Sequence, residues 1–301
     1  MMIITLDEKS VLFSSDAQDL GIHVEKYFDK RTLGVKVMNY LDKKMNLQSA
    51  SFFYGDWKKK LEEIDFVLLN SHFFSRPVIK YLNKKFPSIR IVVWYSNPVS
   101  KDTPVHFFAD LNCELWSFDK DDCKKYGLNH NNQFIDQSKL IVYKSDPTYL
   151  SDICFIGVDK GRLNLLLELE QYFISKKLKP FIYVVNSSKN SRSDYDYKEP
   201  ISYEELINYE GNTTAVLDIV QNDQYGLSLR PIEAMFLKKK LITNNTSVQD
   251  MDFYAPENIF LLNESNKNEI LGFLKIPSVT IPETVMEKYK FEGWFNNFFL
   301  K

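Results

Sequence analysis

Three pieces decide the fold class: Asp65-Phe66-Val67-Leu68-Leu69-Asn70-Ser71, then Ser75-Arg76-Pro77-Val78-Ile79-Lys80-Tyr81-Leu82, then Ile89-Arg90-Ile91-Val92-Val93-Trp94-Tyr95. The first and third are short apolar runs, the third rich in β-branched and aromatic residues, the pattern of strands buried on both faces. The middle piece has Pro77 in its first turn and places Val78, Tyr81 and Leu82 on one side, as an amphipathic helix does. Asn97-Pro98 stops the second run. Such alternation argues for a parallel sheet with helices on both faces.

The same alternation extends both ways. Val11-Leu12-Phe13-Ser14-Ser15 reads as a strand, Lys36 to Lys44 as a helix with Val37, Tyr40 and Leu41 on one face, and Cys113 to Phe118 as another strand. Past the polar stretch Lys144-Ser145-Asp146-Pro147-Thr148, a second unit opens with the buried-strand pattern Ile153-Cys154-Phe155-Ile156-Gly157. A helix from Arg162 to Lys177, a strand from Pro180 to Val185 and a polar loop from Asn186 to Glu199 follow. Then come a helix from Tyr203 to Tyr209, a strand from Ala215 to Val220, a turn from Gln221 to Ser228, a helix from Pro231 to Leu237 and a strand from Lys240 to Thr243. The expectation is two Rossmann-like α/β domains, residues 1–150 and 151–281. The closing segment, residues 282–301, carries Val285, Tyr289, Trp294, Phe295, Phe298 and Phe299, too large an aromatic load to leave exposed. A helix crossing back over the first domain would bury it, and so would a dimer interface.

Composition narrows the function. The 301 residues are 44% apolar and 26% charged, and 40 acidic against 38 basic side chains leave a charge of −2. No basic excess exists to neutralise many phosphates, which argues against nucleic acid as the partner. Local lysine clusters at Lys58-Lys59-Lys60, Lys84-Lys85, Lys176-Lys177 and Lys238-Lys239-Lys240 suit either solvated helix ends or peripheral contact with an anionic inner membrane surface. Cys113, Cys123 and Cys154 form no C-x-x-C pair, so no structural metal is expected. Met1-Met2-Ile3-Ile4-Thr5-Leu6 meets Asp7 and Glu8 too early for a secretory signal, and no uncharged run nears a membrane span, so a cytoplasmic protein is expected.

Ligands of open parallel sheets bind beyond the carboxyl ends of the strands. Two loops of the second domain fit that position. Gly157-Val158-Asp159-Lys160-Gly161-Arg162 joins a strand to a helix; Gly157 and Gly161 permit close backbone approach, and Lys160 and Arg162 are cationic donors suited to a diphosphate. It is neither G-x-G-x-x-G nor a Walker loop. In Gly226-Leu227-Ser228-Leu229-Arg230-Pro231-Ile232-Glu233-Ala234, Pro231 sets the first helical turn, Arg230 sits at its mouth, and Glu233 lies one turn in, within reach of a hydroxyl pair such as a ribose. A basic residue set against the helix dipole calls for an anion to compensate it.

These two loops, with Ile201-Ser202-Tyr203-Glu204-Glu205, Lys239-Lys240-Leu241-Ile242-Thr243-Asn244 and Trp116-Ser117-Phe118-Asp119, resemble bacterial GT-B glycosyltransferases of the lipopolysaccharide-core and capsule biosynthesis type. The likeness covers the second domain best and thins toward the N-terminus. It implies two Rossmann-like domains facing a central cleft, the second holding a nucleotide-sugar donor, with a UDP-sugar expected, and the first a glycan or glycolipid acceptor. By that resemblance Gly226, Arg230 and the Ser228 and Leu229 amides hold the diphosphate, Glu233 the ribose, and the loop around Tyr203 the base. Gly157, Lys160 and Arg162 face the phosphates from the other side. Many retaining members carry an acid eight positions before the ribose-binding Glu; here that residue is Tyr225, and the anomeric outcome stays open. The usual Gly-Gly acceptor loop is replaced by Asp19-Leu20-Gly21-Ile22-His23.

Transfer needs positive charge on the leaving diphosphate, an acceptor hydroxyl in line and a base for its proton. Lys160, Arg162 and Arg230 supply charge without a metal or other cofactor. Asp16, after the first strand, and His72, after Leu69-Asn70-Ser71, are the candidate catalytic bases. Asp194-Tyr195-Asp196 matches a metal-chelating Asp-x-Asp in letters but lies in a polar loop. An epimerase or polyol-phosphate transferase on the same scaffold, and a non-catalytic glycan-binding module, stay open as alternatives.

Overall fold

A computed structural model of the chain describes residues 1–6, 12, 15–28, 54–140, 143, 145–186, 192–220 and 227–300. The chain forms two compact units, Met1–Gln133 with Trp294–Lys301, and Phe134–Gly293. Each is a parallel sheet with helical crossovers.

In the first unit β1 (Met2–Thr5), β2 (His23–Lys26), β3 (Phe66–Asn70), β4 (Arg90–Tyr95), β5 (Glu114–Ser117) and β6 (Asn129–His130) pair in the order β2-β1-β3-β4-β5-β6. Every pairing is parallel; Phe66 sits opposite Arg90 and Asn70 opposite Trp94. Helix α1 (Ser15–Asp19) links β1 to β2, and α2 (Ser75–Lys85) links β3 to β4. The quoted strand-helix-strand pattern is thus β3-α2-β4. The first strand, however, is Met2–Thr5 rather than Val11–Ser15: all four of its side chains are buried, whereas Leu12 lies in a turn and Ser15 opens α1. The expected helix from Lys36 to Lys44 falls outside the described residues.

Alternate strand residues feed two faces. Met2, Ile4, Val67, Leu69, Ile91 and Val93 join Val78, Ile79 and Leu82 of α2 in one core. On the other face, Trp94 meets Trp294 at 5.4 Å between ring centroids, Phe66 meets Phe295 at 5.7 Å, and Trp116 meets Phe298 at 4.9 Å, all edge-on. The chain's last residues are therefore the layer that covers this face. The closing segment is four short helical pieces, not one helix, and its aromatics divide. Tyr289 stacks edge-on with Phe253 in the second unit, and Trp294, Phe295 and Phe298 serve the first.

In the second unit β7 (Ser151–Val158), β8 (Pro180–Val185), β9 (Thr213–Asp218), β10 (Lys240–Thr243) and β11 (Ile259–Leu261) pair, all parallel, in the order β11-β10-β9-β7-β8. Helices α3 (Lys120–Tyr126) in the first unit and α4 (Leu163–Ser175), α5 (Tyr203–Gly211) and α6 (Arg230–Phe236) in the second complete the elements used below. Leu163, Leu166, Leu169 and Phe173 of α4 pack on Ile153 and Phe155, while Ile232, Ala234 and Met235 of α6 pack on Val216 and Leu241 from the other face. The strand order reverses at β7, so the connections leaving β7 and β9 diverge to opposite faces and leave a crevice beyond their carboxyl ends, where ligands bind in open α/β sheets. The two basic loops emerge there.

Candidate functional site

The loop after β7 is built around Asp159. Its carboxylate accepts from Gly161 N at 3.1 Å and Leu163 N at 3.0 Å, capping α4, and from the Tyr197 hydroxyl at 2.5 Å. Lys160 takes a left-handed conformation (φ 49°), strained for a residue with a Cβ, at the tip of the turn. Arg162 folds back over the strand end, donating to Val158 O at 2.9 and 3.2 Å and to Ile219 O.

Arg230 comes to the same place from the β9 side. Its guanidinium donates to Ile156 O and lies 5.3 Å from the Phe155 ring centroid; that of Arg162 lies 4.9 Å from the same ring. Gly157 makes this possible. A Cβ there would stand 2.9 Å from Arg230 Nη2 and 3.0 Å from Arg162 Nη2, so the absence of a side chain lets two guanidinium groups meet over one residue. Burial and the charge of Arg230 push Arg162 down to about 10, and burial, Arg162 and Arg230 lower Lys160. Like charges held together and partly desolvated favour an anion between them. Gly157→Ala is expected to displace both guanidinium groups while leaving the fold, since only mobile side-chain ends stand in the way. Nucleoside diphosphate binding should weaken at least about tenfold with little change in melting temperature.

Arg230 also faces acids. Asp218, fully buried at the end of β9, lies 3.7 Å from its Nη1, and Glu210, 1% exposed, lies 3.9 Å from its Nε. Asp218 accepts from Ser228 Oγ at 2.9 Å and Thr243 Oγ1 at 3.1 Å. The compensating charge for Arg230 thus includes the chain's own Asp218. Glu233, 3% exposed, accepts from the Tyr203 hydroxyl at 2.8 Å and faces Glu210. Burial and then the Glu233 charge hold Glu210 protonated well above the ordinary carboxyl range, and burial also raises Glu233. A carboxyl raised in this way takes up a proton on folding. Its stability contribution is therefore full at low pH and declines as pH rises from the ordinary carboxyl range through the raised one. Glu210→Gln should flatten that decline and gain on the order of 1 kcal/mol over the wild type by about pH 8, read from denaturation midpoints at several pH values.

The structure therefore gathers Gly157, Lys160, Arg162, Tyr203, Ser228, Arg230 and Glu233 about the β7–β9 crevice. Leu229 immediately precedes α6, and its carbonyl accepts from Ile232 N and Glu233 N, both at 2.9 Å. Gly226 and Tyr225 lie outside the described residues. Two hydroxyls of the gathered residues are engaged locally: that of Tyr203 donates to Glu233, and that of Ser228 to Asp218. Sequence reasoning missed Glu210 and Asp218. An acid closing the run Ala215-Val216-Leu217 was the available signal for Asp218; for Glu210, at a helix end, there was none.

The candidate bases belong to the first unit. His72 follows β3, beside that sheet's own reversal point between β1 and β3; its Nδ1 accepts from Phe74 N at 3.2 Å and its ring stacks on Phe74 at 5.1 Å. A neutral imidazole bonded this way carries its proton on Nε2. Asp16, half-buried, is in the first turn of α1. In the Asp-x-Asp match, Asp194 is paired with Arg192 at 2.5 Å and Asp196 with Lys198 at 2.6 Å.

No protein-family model and no curated protein matches the chain. Solved structures do. A sucrose-phosphate synthase from Thermosynechococcus elongatus superposes with a TM-score of 0.60 at 11% identity, over 99% of this chain and 97% of that one. A protein assigned as a UDP-N-acetylglucosamine 2-epimerase from Listeria monocytogenes gives 0.51 at 9% identity, over 99% and 96%. At such identities the likeness is one of fold. The chain has the GT-B fold class, two Rossmann-like parallel-sheet α/β domains of six and five strands.

Proposed function

We propose that this protein is a glycosyltransferase that moves a sugar from a nucleotide-diphosphate donor, a UDP-sugar by preference, to a cell-surface glycan or glycolipid acceptor. One observation carries the reading: the guanidinium groups of Arg162 and Arg230 meet over Gly157 at the reversal point of the second sheet. Two planar donors side by side match the oxygens of a diphosphate, and their charge stabilises it as it leaves. Lys160 adds a third cation from the loop tip. Glu233, oriented by Tyr203, takes the ribose hydroxyls, and the turn entering α5 takes the base. Asp16 and His72 are the proposed acceptor-side groups, with a cytoplasmic enzyme working at the inner membrane face. No helix of the described residues is long and apolar enough to cross a membrane.

A sugar epimerase is the second reading, supported by the fold likeness to the Listeria protein. Incubation with a panel of nucleotide sugars, with and without a glycan acceptor fraction, separates the two. Free nucleoside diphosphate that appears only with acceptor supports transfer. Interconverted nucleotide sugar formed without acceptor supports epimerisation.

A further inference from the structure

A cavity of about 260 Å³ lies behind α6, on a different face of that helix from Arg230 and Glu233. Pro231, Ala234, Met235 and Lys238, spaced as one helical stripe, form one wall; Leu241, Phe253 and Ile259 contribute apolar surface from the sheet and the loop beside it. The outer wall is the strap Ser278–Ile281, which belongs to no helix or strand. Asn258 hooks the strap in place, its Nδ2 donating to Val279 O at 2.8 Å and its Oδ1 accepting from Val279 N at 2.9 Å. Val279 is 43% exposed.

The polar members of the lining are Lys238, Lys239, Asn258, Ser278 and Thr280. Lys238 and Lys239 both reach it, at the point where α6 ends. Lys238 adopts a left-handed conformation (φ 55°) at the position that closes the helix, where glycine is the favoured residue. Lys239 also lines the cavity, but its ammonium lies 5.9 Å from the ring centroid of Tyr143, which is not part of the lining, so the cation of this pair that serves the cavity is Lys238. Glu283 lies in the field of Lys238 but is itself bonded to Lys290 at 2.6 Å. A largely apolar pocket with a lysine in its lining matches a ligand with an apolar body and an anionic head.

We propose that this cavity binds a single alkyl chain bearing an anionic head group, carboxylate or phosphate, with the chain behind α6 and the head at Lys238. The site is separate from the donor site and does not depend on its assignment.

Calorimetric titration of the full chain with monomeric straight-chain carboxylates of six to twelve carbons, octyl phosphate and octanol tests it. Affinity should rise about fourfold per methylene and then level off once the cavity is full. Octanoate and octyl phosphate should both bind more tightly than octanol, and the tighter of the two identifies the head group. Ala234→Leu, which places three more carbons in the cavity, should weaken octanoate roughly fifty-fold. Lys238→Gly should raise the melting temperature, by relieving the left-handed lysine, yet weaken octanoate by about three- to fivefold. That opposition keeps the test clear of folding defects. Affinity that climbs without limit with chain length, equal binding of octanol, or binding unchanged in a folded Ala234→Leu protein would overturn the proposal. So would adsorption to phosphatidylglycerol vesicles without monomer binding.

Discussion

Arg230→Lys should cut turnover by about 10- to 100-fold with the fold preserved, and Arg230→Ala by about 100- to 1,000-fold with a measurable loss of stability. The difference comes from what Arg230 touches. Its guanidinium bonds the Ile156 carbonyl, lies beside Arg162 and stands 3.7 Å from the buried Asp218. Lysine keeps the charge that Asp218 faces but loses the planar fork that can address a strand-end carbonyl and a diphosphate together. Alanine removes the charge as well, leaving a buried carboxylate without its cation, at a cost of about 1–3 kcal/mol. Steady-state kinetics and denaturation midpoints, measured on both variants, check the two halves. Wild-type turnover in Arg230→Lys would remove the diphosphate role from this residue.

The second large effect concerns stability. Trp294→Ala should cost the first unit about 3–5 kcal/mol, because Trp294 is fully buried and packs edge-on against Trp94 and Phe298. The segment is also pinned by polar bonds: Asn131 donates to Trp294 O at 2.9 Å, and Asn297 donates to Asn131 Oδ1 at 2.8 Å. Leu300→Ala, by contrast, alters a side chain 71% exposed and should stay within about 0.5 kcal/mol. Chemical denaturation followed by tryptophan fluorescence and far-UV circular dichroism measures both. Similar costs for the two substitutions would show that the tail is not the layer covering the first sheet.

Much of this was legible in the residues. The runs Phe66 to Asn70 and Arg90 to Tyr95 had to be buried strands, because neither alternates polar with apolar positions. Pro231 fixed the start of α6 within a residue, and glycine followed by Lys160 and Arg162 at a strand end marked the loop after β7. The strand Met2–Thr5 was harder, since four residues carry too little period to mark a strand. Strand order decides the rest. Asp218 and Glu210 are far apart from Gly157 in sequence, and only the placement of β9 beside β7 brings them to Arg230. Likewise the spacing of Tyr289, Trp294 and Phe298 shows that they must be buried, but not that two different sheets bury them.

In the proposed function the crevice at β7 and β9 takes a diphosphate through Arg162 and Arg230. Calorimetric titration of the wild type with UDP, GDP, CDP and ADP, each against its monophosphate, tests it most directly. At least one diphosphate should bind about tenfold or more tightly than its monophosphate, added salt should narrow the gap, and Arg230→Lys should erase it. Equal affinity for mono- and diphosphates, or no binding of any of the four, would contradict it.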